Sequence, residues 1–432
     1  MSSLLLFSLL ACTHRVPESV VVADPVQLAT FEAVYQRISE TYPYPDMHGV
    51  DWQGAHDRLL PDARAARSAD ELRPTLMALL DTLGESHFGI LPGDSYEGAA
   101  SEDDSPDDSA GSGGDAGLEL RWVEGELVVF RLTPGGGAAE AGVRLGDAVT
   151  RIGDVAVEEL LDRAAKQAEG LPKETLAAVW SERRLAGAPG SLVKLTVRDE
   201  ADAERELSVT RHQAPGEITQ LGFLPPIATD FQAELLPSGV GYIRFSAFMT
   251  SISEPFAAAL VKFAGAPGVV VDVRGNMGGV ASLANGLAGF FITESGKEMG
   301  RLITREGELH LFIFPRPSAQ RFGGNLAILV DEASFSTAEI FAAGLQALQR
   351  AQVFGTRSPG MALPSRIEGL PNGDALQYAF ADFYDPIGRR IEGAGAVPDQ
   401  AVPLTRAALR SGHDPVIDAA SCWIQDKQGA CP

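Results

Sequence analysis

Leu326-Ala-Ile-Leu-Val-Asp-Glu-Ala-Ser-Phe-Ser-Thr-Ala-Glu-Ile-Phe-Ala-Ala-Gly-Leu345 is the stretch whose reading decides the fold. An apolar strand breaks into a short turn and restarts as a helix at Ser336. Such a junction presents a hydroxyl at a strand's carboxyl end, beside the free N–H groups of a helix start. A nucleophilic serine profits from that place, because those N–H groups hold the oxyanion its attack creates. A plainer reading is open at this point: Ser336-Thr-Ala-Glu339 also fits a capping box, in which the serine caps the helix and the glutamate reaches back.

A second element shifts the balance toward chemistry. Val269-Val-Val-Asp-Val273 reads as a buried strand, and Asp272-Val-Arg-Gly-Asn-Met-Gly-Gly279 follows at its end. Adjacent glycines let backbone approach a bound group and leave N–H donors unobstructed, as an oxyanion hole requires. No Gly-Lys-Ser/Thr follows and the spacing misses the dinucleotide fingerprint, so a phosphate loop is disfavoured. A simple turn is the remaining alternative.

With 432 residues, 45% hydrophobic and 22% charged, the chain has material for two or three domains. A formal net charge of -23 speaks against a nucleic-acid partner. Part of the acidity is the run Ser101-Glu-Asp-Asp-Ser-Pro-Asp-Asp-Ser109, which reads as solvated linker without calcium-ligand spacing.

Leu4 to Leu10 is a short apolar run followed by Ala11-Cys12, as in a bacterial lipoprotein signal, although no Lys or Arg precedes it. Export and a lipid anchor at Cys12 are therefore expected. Cys422 and Cys431 remain as an even pair, either a small disulfide or two free thiols. No segment is long and apolar enough for a spanning helix.

The expected organisation is multidomain α/β. Residues 1–12 are a signal and 13–25 a linker; 26–92 form a helical subdomain, and 93–116 an acidic flexible linker. A β-rich module occupies 117–213, an α/β core 214–412, and a tail with the cysteine pair 413–432. In the β-rich module, Ala141-Gly142 with Gly146-Asp147 resembles a bacterial PDZ domain. That resemblance implies a peptide ligand, often a C-terminus, bound by strand addition beside a helix.

Taken together and in this order, the pieces resemble the C-terminal processing, or tail-specific, serine peptidases and the related tricorn core protease. The motifs are Asp272, Arg274, Asn276, Gly278 and Gly279 in the loop, with Ser336 and Glu339 after it. The resemblance implies a catalytic core of the crotonase-like ββα type, a peptide or protein substrate, and no cofactor or metal. In one design of the family a lysine about 25 residues past the serine is the base. Met361 stands there, and no lysine occurs between Ser336 and Lys427. In the tricorn-like design a Ser-His pair ahead of the PDZ domain and a late glutamate serve instead; Ser86, His87 and Glu392 match them. Gly279 and Thr337 are implied as oxyanion donors.

Histidine suits the role on chemical grounds, since it titrates near neutral pH and a carboxylate-containing network can orient it. Ser334 lacks a glutamate three positions on, and His48 and His56 lie too far apart for a helical metal pair. The rival reading is a binding protein on the same scaffold, since the retinoid-binding repeats of photoreceptor matrix resemble this core yet carry ligand. An esterase using the same serine is another. Oligomeric state is left open.

Overall fold

The computed structural model describes residues 24–93, 113–167, 171–219 and 227–425. The signal with Cys12, most of the acidic linker, and Cys431 lie outside the described residues.

Three helices, Pro25–Thr41, Trp52–Ala65 and Ala69–Leu80, open the chain. Each starts where a side-chain oxygen takes orphan amides: Asp24 accepts from Val26 N at 2.8 Å, Asp51 from Gly54 N at 2.9 Å, and Ser68 from Glu71 N at 3.3 Å. Their apolar stripes, including Phe31, Val34, Ile38, Leu72, Leu76 and Leu79, close on one another and on Leu376 and Tyr378 from far along the chain. The strand Gly89–Leu91 then pairs antiparallel with Ala375–Ala379, Gly89 facing Gln377 and Leu91 facing Ala375. That pairing sews the helical subdomain to the core two residues beyond His87.

Leu118–Val123, Glu126–Leu132, Ala148–Ile152, Leu192–Arg198 and Glu204–Thr210 form an antiparallel sheet in that order. Helix Lys173–Leu185 packs beside its edge strand Leu118–Val123. Gly114–Asp115 already pairs with His212–Gln213, so the β-rich module reaches back beyond the expected boundary at 117.

The core sheet runs Phe231–Leu235, Gly241–Phe245, Gly268–Asp272, Asn325–Val330, Gln352–Gly355, Gln400–Ala401, parallel throughout except for its first pair. Burial on both faces makes its central strands, Gly268–Asp272 and Asn325–Val330, largely apolar runs. Side chains alternate between faces. Val269, Val271, Leu326, Ile328 and Val330 meet helices Ser253–Lys262, Ala281–Ala288 and Thr337–Ala347. Val270, Ala327 and Leu329 meet helix Pro415–Ile424 on the other side. The segment expected as a C-terminal tail therefore completes the core: Val416, Ala419, Ala420 and Ile424 are buried there. Cys422 in this helix is disulfide-bonded.

Candidate active site

Two adjacent parallel strands, Gly268–Asp272 and Asn325–Val330, end side by side, so the glycine loop and the Ser336 turn share one edge of the sheet. Asn276, fully buried, shapes the loop: its Nδ2 donates to Phe245 O at 2.8 Å and its Oδ1 accepts from Gly278 N at 2.9 Å. Phe335 N donates to Asn276 O at 2.9 Å and ties the loop to the serine turn. Gly278, at φ +87°, lies so close that a Cβ there would stand 2.7 Å from Ser336 Cβ. Gly275, at φ +70°, has a different neighbour: a Cβ there would fall 2.4 Å from the Arg121 guanidinium.

Ser336 has φ 55° and ψ -116°, a strained conformation for a residue with a side chain. Such strain survives only where the surroundings over-determine it. Glu339 supplies that restraint. It is fully buried and accepts from Ser336 N at 3.0 Å, Ser358 Oγ at 2.7 Å, Gly360 N at 2.6 Å and Met361 N at 2.9 Å. Burial pushes its carboxyl up to about 7 against the pull of those four donors. The glutamate half of the capping box is thus made, while the Ser336 hydroxyl lies 3.1 Å from His87 Nε2.

The structure brings Ser86, His87, Ser336 and Glu392 into one chain of hydrogen bonds. His87 Nδ1 lies 2.7 Å from Ser86 Oγ, and Ser86 Oγ donates to Glu392 Oε2 at 3.0 Å. Glu392 does not bond His87 itself; it acts on Ser86, also accepting from Ser86 N at 2.9 Å and from Ala362 N at 2.8 Å. A serine hydroxyl has one proton. With that proton given to an ionised Glu392, Ser86 Oγ can only accept from His87, so Nδ1 carries the ring hydrogen and Nε2 presents a lone pair to Ser336. Burial holds the His87 imidazolium down to about 4, so the ring is neutral at pH 7 and free to take a proton. Burial also raises the Glu392 carboxyl above its ordinary range.

Thr337 Oγ1 donates to Gly279 O at 2.9 Å and pins the loop against the start of the helix. Among the described residues, neither Gly279 N nor Thr337 N donates to another protein group. Two free amides beside a serine hydroxyl have the composition of an oxyanion hole.

With this geometry in place, comparisons with known proteins decide the family. Residues 239–402 match the profile of Peptidase family S41, and residues 28–81 match the Tricorn protease C1 domain. That match makes residues 239–402 a Peptidase family S41 domain.

The protein carrying this domain is a serine-type peptidase, and its substrates are peptides or proteins. It is 24% identical over 396 residues to the carboxyl-terminal-processing peptidase 3, chloroplastic, of Arabidopsis thaliana, covering 88% of this chain and 72% of that one. It is 26% identical over 344 residues to the carboxyl-terminal-processing protease of Synechocystis, covering 78% and 73%. The solved photosystem II D1 C-terminal processing protease shares the fold at a TM-score of 0.58 and 19% identity, over 87% of this chain and 93% of that one.

Other candidates in this S41 chain have structural partners. Ser334 is buried and donates to Val273 O at 2.8 Å while accepting from Asp331 N at 2.9 Å, so it braces the turn. His56 pairs with Glu32 and Asp57, and His48 stacks on Tyr44. Sequence reading overlooked Asp331 and Arg121. Asp331 Oδ1 accepts from Gly275 N and Ala333 N, each at 3.0 Å, and its Oδ2 accepts from Arg121 Nε at 2.5 Å. Arg121 thus joins the β-rich module to both the glycine loop and the serine turn. No sequence motif announces that link; the one local hint is Gly275, whose missing side chain makes room for the guanidinium.

Proposed function

We propose that the protein is an endopeptidase working through an acyl-enzyme on Ser336. Ser336 Oγ attacks the scissile carbonyl carbon as His87 Nε2 takes its proton. The N–H groups of Gly279 and Thr337 receive the oxyanion. The C–N bond breaks as His87 returns the proton to the leaving amine. Water, deprotonated by His87, then cleaves the ester and restores Ser336. Ser86 and Glu392 hold the imidazole in the accepting tautomer. The 3.1 Å contact between His87 Nε2 and Ser336 Oγ carries this reading, with the Ser86–Glu392 relay behind it. A fluorophosphonate probe tests it: the adduct, mapped by mass spectrometry, is expected on Ser336. An intact protein that forms no such adduct would sink the assignment.

The β-rich module is read as a PDZ-like receiver of substrate C-termini, on the edge strand Leu118–Val123 beside helix Lys173–Leu185. Glu182 of that helix accepts from Leu120 N at 2.9 Å, so an incoming strand must displace it there. Export with a lipid on Cys12 is supported by the Leu4–Leu10 run and Ala11. Among the described residues, no helix is long and apolar enough to cross a membrane. Metabolic labelling with palmitate is expected to mark the protein and to be lost in Cys12→Ser; persistent labelling in that variant would refute this anchor.

A further inference from the structure

We propose that the ion pair between Glu85 and Arg390 is a positioning device that sets the Ser86–Glu392 contact and, through it, the accepting tautomer of His87. The inference rests on the catalytic reading above and adds two residues to it.

The pair flanks the relay on both of its chain segments. Glu85 immediately precedes Ser86, and Arg390 lies two residues before Glu392. Arg390 Nη2 donates to Glu85 Oε1, so the two segments, 305 positions apart, are tied twice: once by this pair and once by Ser86 with Glu392. Each partner is itself held. Glu85 Oε2 accepts from the Tyr42 hydroxyl at 2.7 Å, and His48 Nδ1 lies 3.3 Å from Oε1. Arg390 Nε donates to Asp382 Oδ2 at 2.5 Å, and the same oxygen accepts from the Tyr44 hydroxyl at 2.6 Å. Asp382 is fully buried, so the fork of Arg390 is aimed from a fixed point.

The Ser86 segment needs such a hold. Gly84 has φ 63° and His87 φ 62°, so two residues with left-handed backbone bracket Glu85 and Ser86. A non-glycine residue keeps that conformation only under external restraint. The bonds to Glu392 and Ser336 restrain the relay groups themselves; the bond to Arg390 restrains the backbone that carries them. Neither Glu85 nor Arg390 is bonded to Ser336 or His87, which makes them positioning residues and not catalytic ones.

Charge gives the pair a signature that a merely architectural contact lacks. Glu392 must be ionised for the tautomer to hold, and the Glu85 charge adds to burial in raising its carboxyl. The titratable and charged groups that face the pair and Glu392 are Tyr42 and His48 at Glu85, Asp382 and Tyr44 at Arg390, His87 through Ser86, and Glu339 through the Gly360–Ala362 backbone. In Glu85→Gln a negative neighbour disappears and Arg390 loses one of its two carboxylate partners. Both changes favour ionised Glu392, so the acid limb of the rate profile moves to lower pH. In Arg390→Met the Glu85 charge stands unopposed and the limb moves to higher pH. Loss of position lowers the plateau rate in both.

The test is the rate of fluorophosphonate acylation of the full chain across pH, for wild type, Glu85→Gln, Arg390→Met and Arg390→Lys, with Ser336→Ala as the blank. The plateau is expected to fall by about ten- to a hundredfold in the first two variants, with limbs displaced in opposite directions. Arg390→Lys, which keeps the charge and loses the fork, is expected to keep the wild-type limb and regain part of the plateau. Plateaus equal to wild type, or limbs moving the same way, overturn the proposal. So does loss of acylation that tracks loss of fold, followed by circular dichroism. A wild-type protein that is not acylated on Ser336 would instead refute the catalytic reading.

Discussion

Ser336→Ala is expected to abolish peptide hydrolysis, with kcat falling by about a millionfold, and His87→Ala is expected to cost nearly as much. The two groups act as a unit. Without the hydroxyl there is no atom to form the ester; without the imidazole the hydroxyl keeps its proton at pH 7, where it is a poor nucleophile. The double variant should therefore be little worse than either single one, because each change alone stops the covalent route. What activity survives comes from substrate binding and the amides of Gly279 and Thr337, neither of which these substitutions remove. Stopped-assay kinetics on the three variants check this, and an additive pair of losses would contradict a shared mechanism. The Ser336→Ala protein should keep its fold, since Glu339 retains its bonds to Ser336 N, Ser358, Gly360 and Met361. It is thus the protein on which to measure peptide binding. A peptide with a free C-terminus is expected to bind more tightly than its amide if the PDZ-like module reads C-termini, and equal affinity would remove that part of the reading.

Glu392→Gln is expected to lower kcat by about ten-thousandfold while leaving the substitution nearly isosteric. The reason is the direction of the hydrogen bonds. The carboxylate accepts from Ser86 N on Oε1, and from Ser86 Oγ and Ala362 N on Oε2. A carboxamide has one acceptor and one NH2. If the NH2 takes the Oε2 position it leaves Ala362 N without its acceptor and donates to Ser86 Oγ, which then donates to His87 Nδ1, and the ring hydrogen moves to Nε2. His87 is then a donor toward Ser336 and cannot take its proton. If the NH2 takes the Oε1 position it faces the Ser86 amide, and an unpaired buried donor costs about 1–3 kcal/mol. Either orientation harms the site: both strip a backbone amide of its acceptor, and the first also reverses the tautomer. Thermal unfolding with kcat separates the two routes. Wild-type turnover in Glu392→Gln would show that the relay does not govern the tautomer.

The local pieces of the site were legible because each is dictated by neighbours in the sequence. The Val269–Val273 run followed by paired glycines, and the Leu326–Val330 run followed by Ser-x-x-Glu, are strand-to-loop transitions set by periodicity and backbone freedom. Ser86, His87 and Glu392 were legible only by resemblance, since a Ser-His pair and a lone glutamate have no local pattern of their own. The C-terminal segment was misplaced as a tail for a related reason. Its apolar residues are short of a recognisable helix face until Val270, Ala327 and Leu329 provide a surface for them.

The residues that support the site were not legible at all. Arg121, Asp331, Glu85 and Arg390 are ordinary charges in sequence, and an ordinary charge is a solvated surface group by default. Their roles arise from pairings across 210 and 305 positions; that of Arg121 with Asp331 is made in the interior, where an unpaired charge would be costly, and that of Glu85 with Arg390 is part-buried. What the sequence determined by itself was therefore the alternation of strands and helices, the two glycine and serine turns at strand ends, and a stretch without lysine between Ser336 and Lys427. Tertiary structure alone decided that His87 reaches Ser336, because antiparallel pairing of Gly89–Leu91 with Ala375–Ala379 delivers it there. It likewise decided that Glu392 bonds Ser86 and not His87. Contacts so distant in the chain depend on packing of whole elements, which no local pattern of residues encodes.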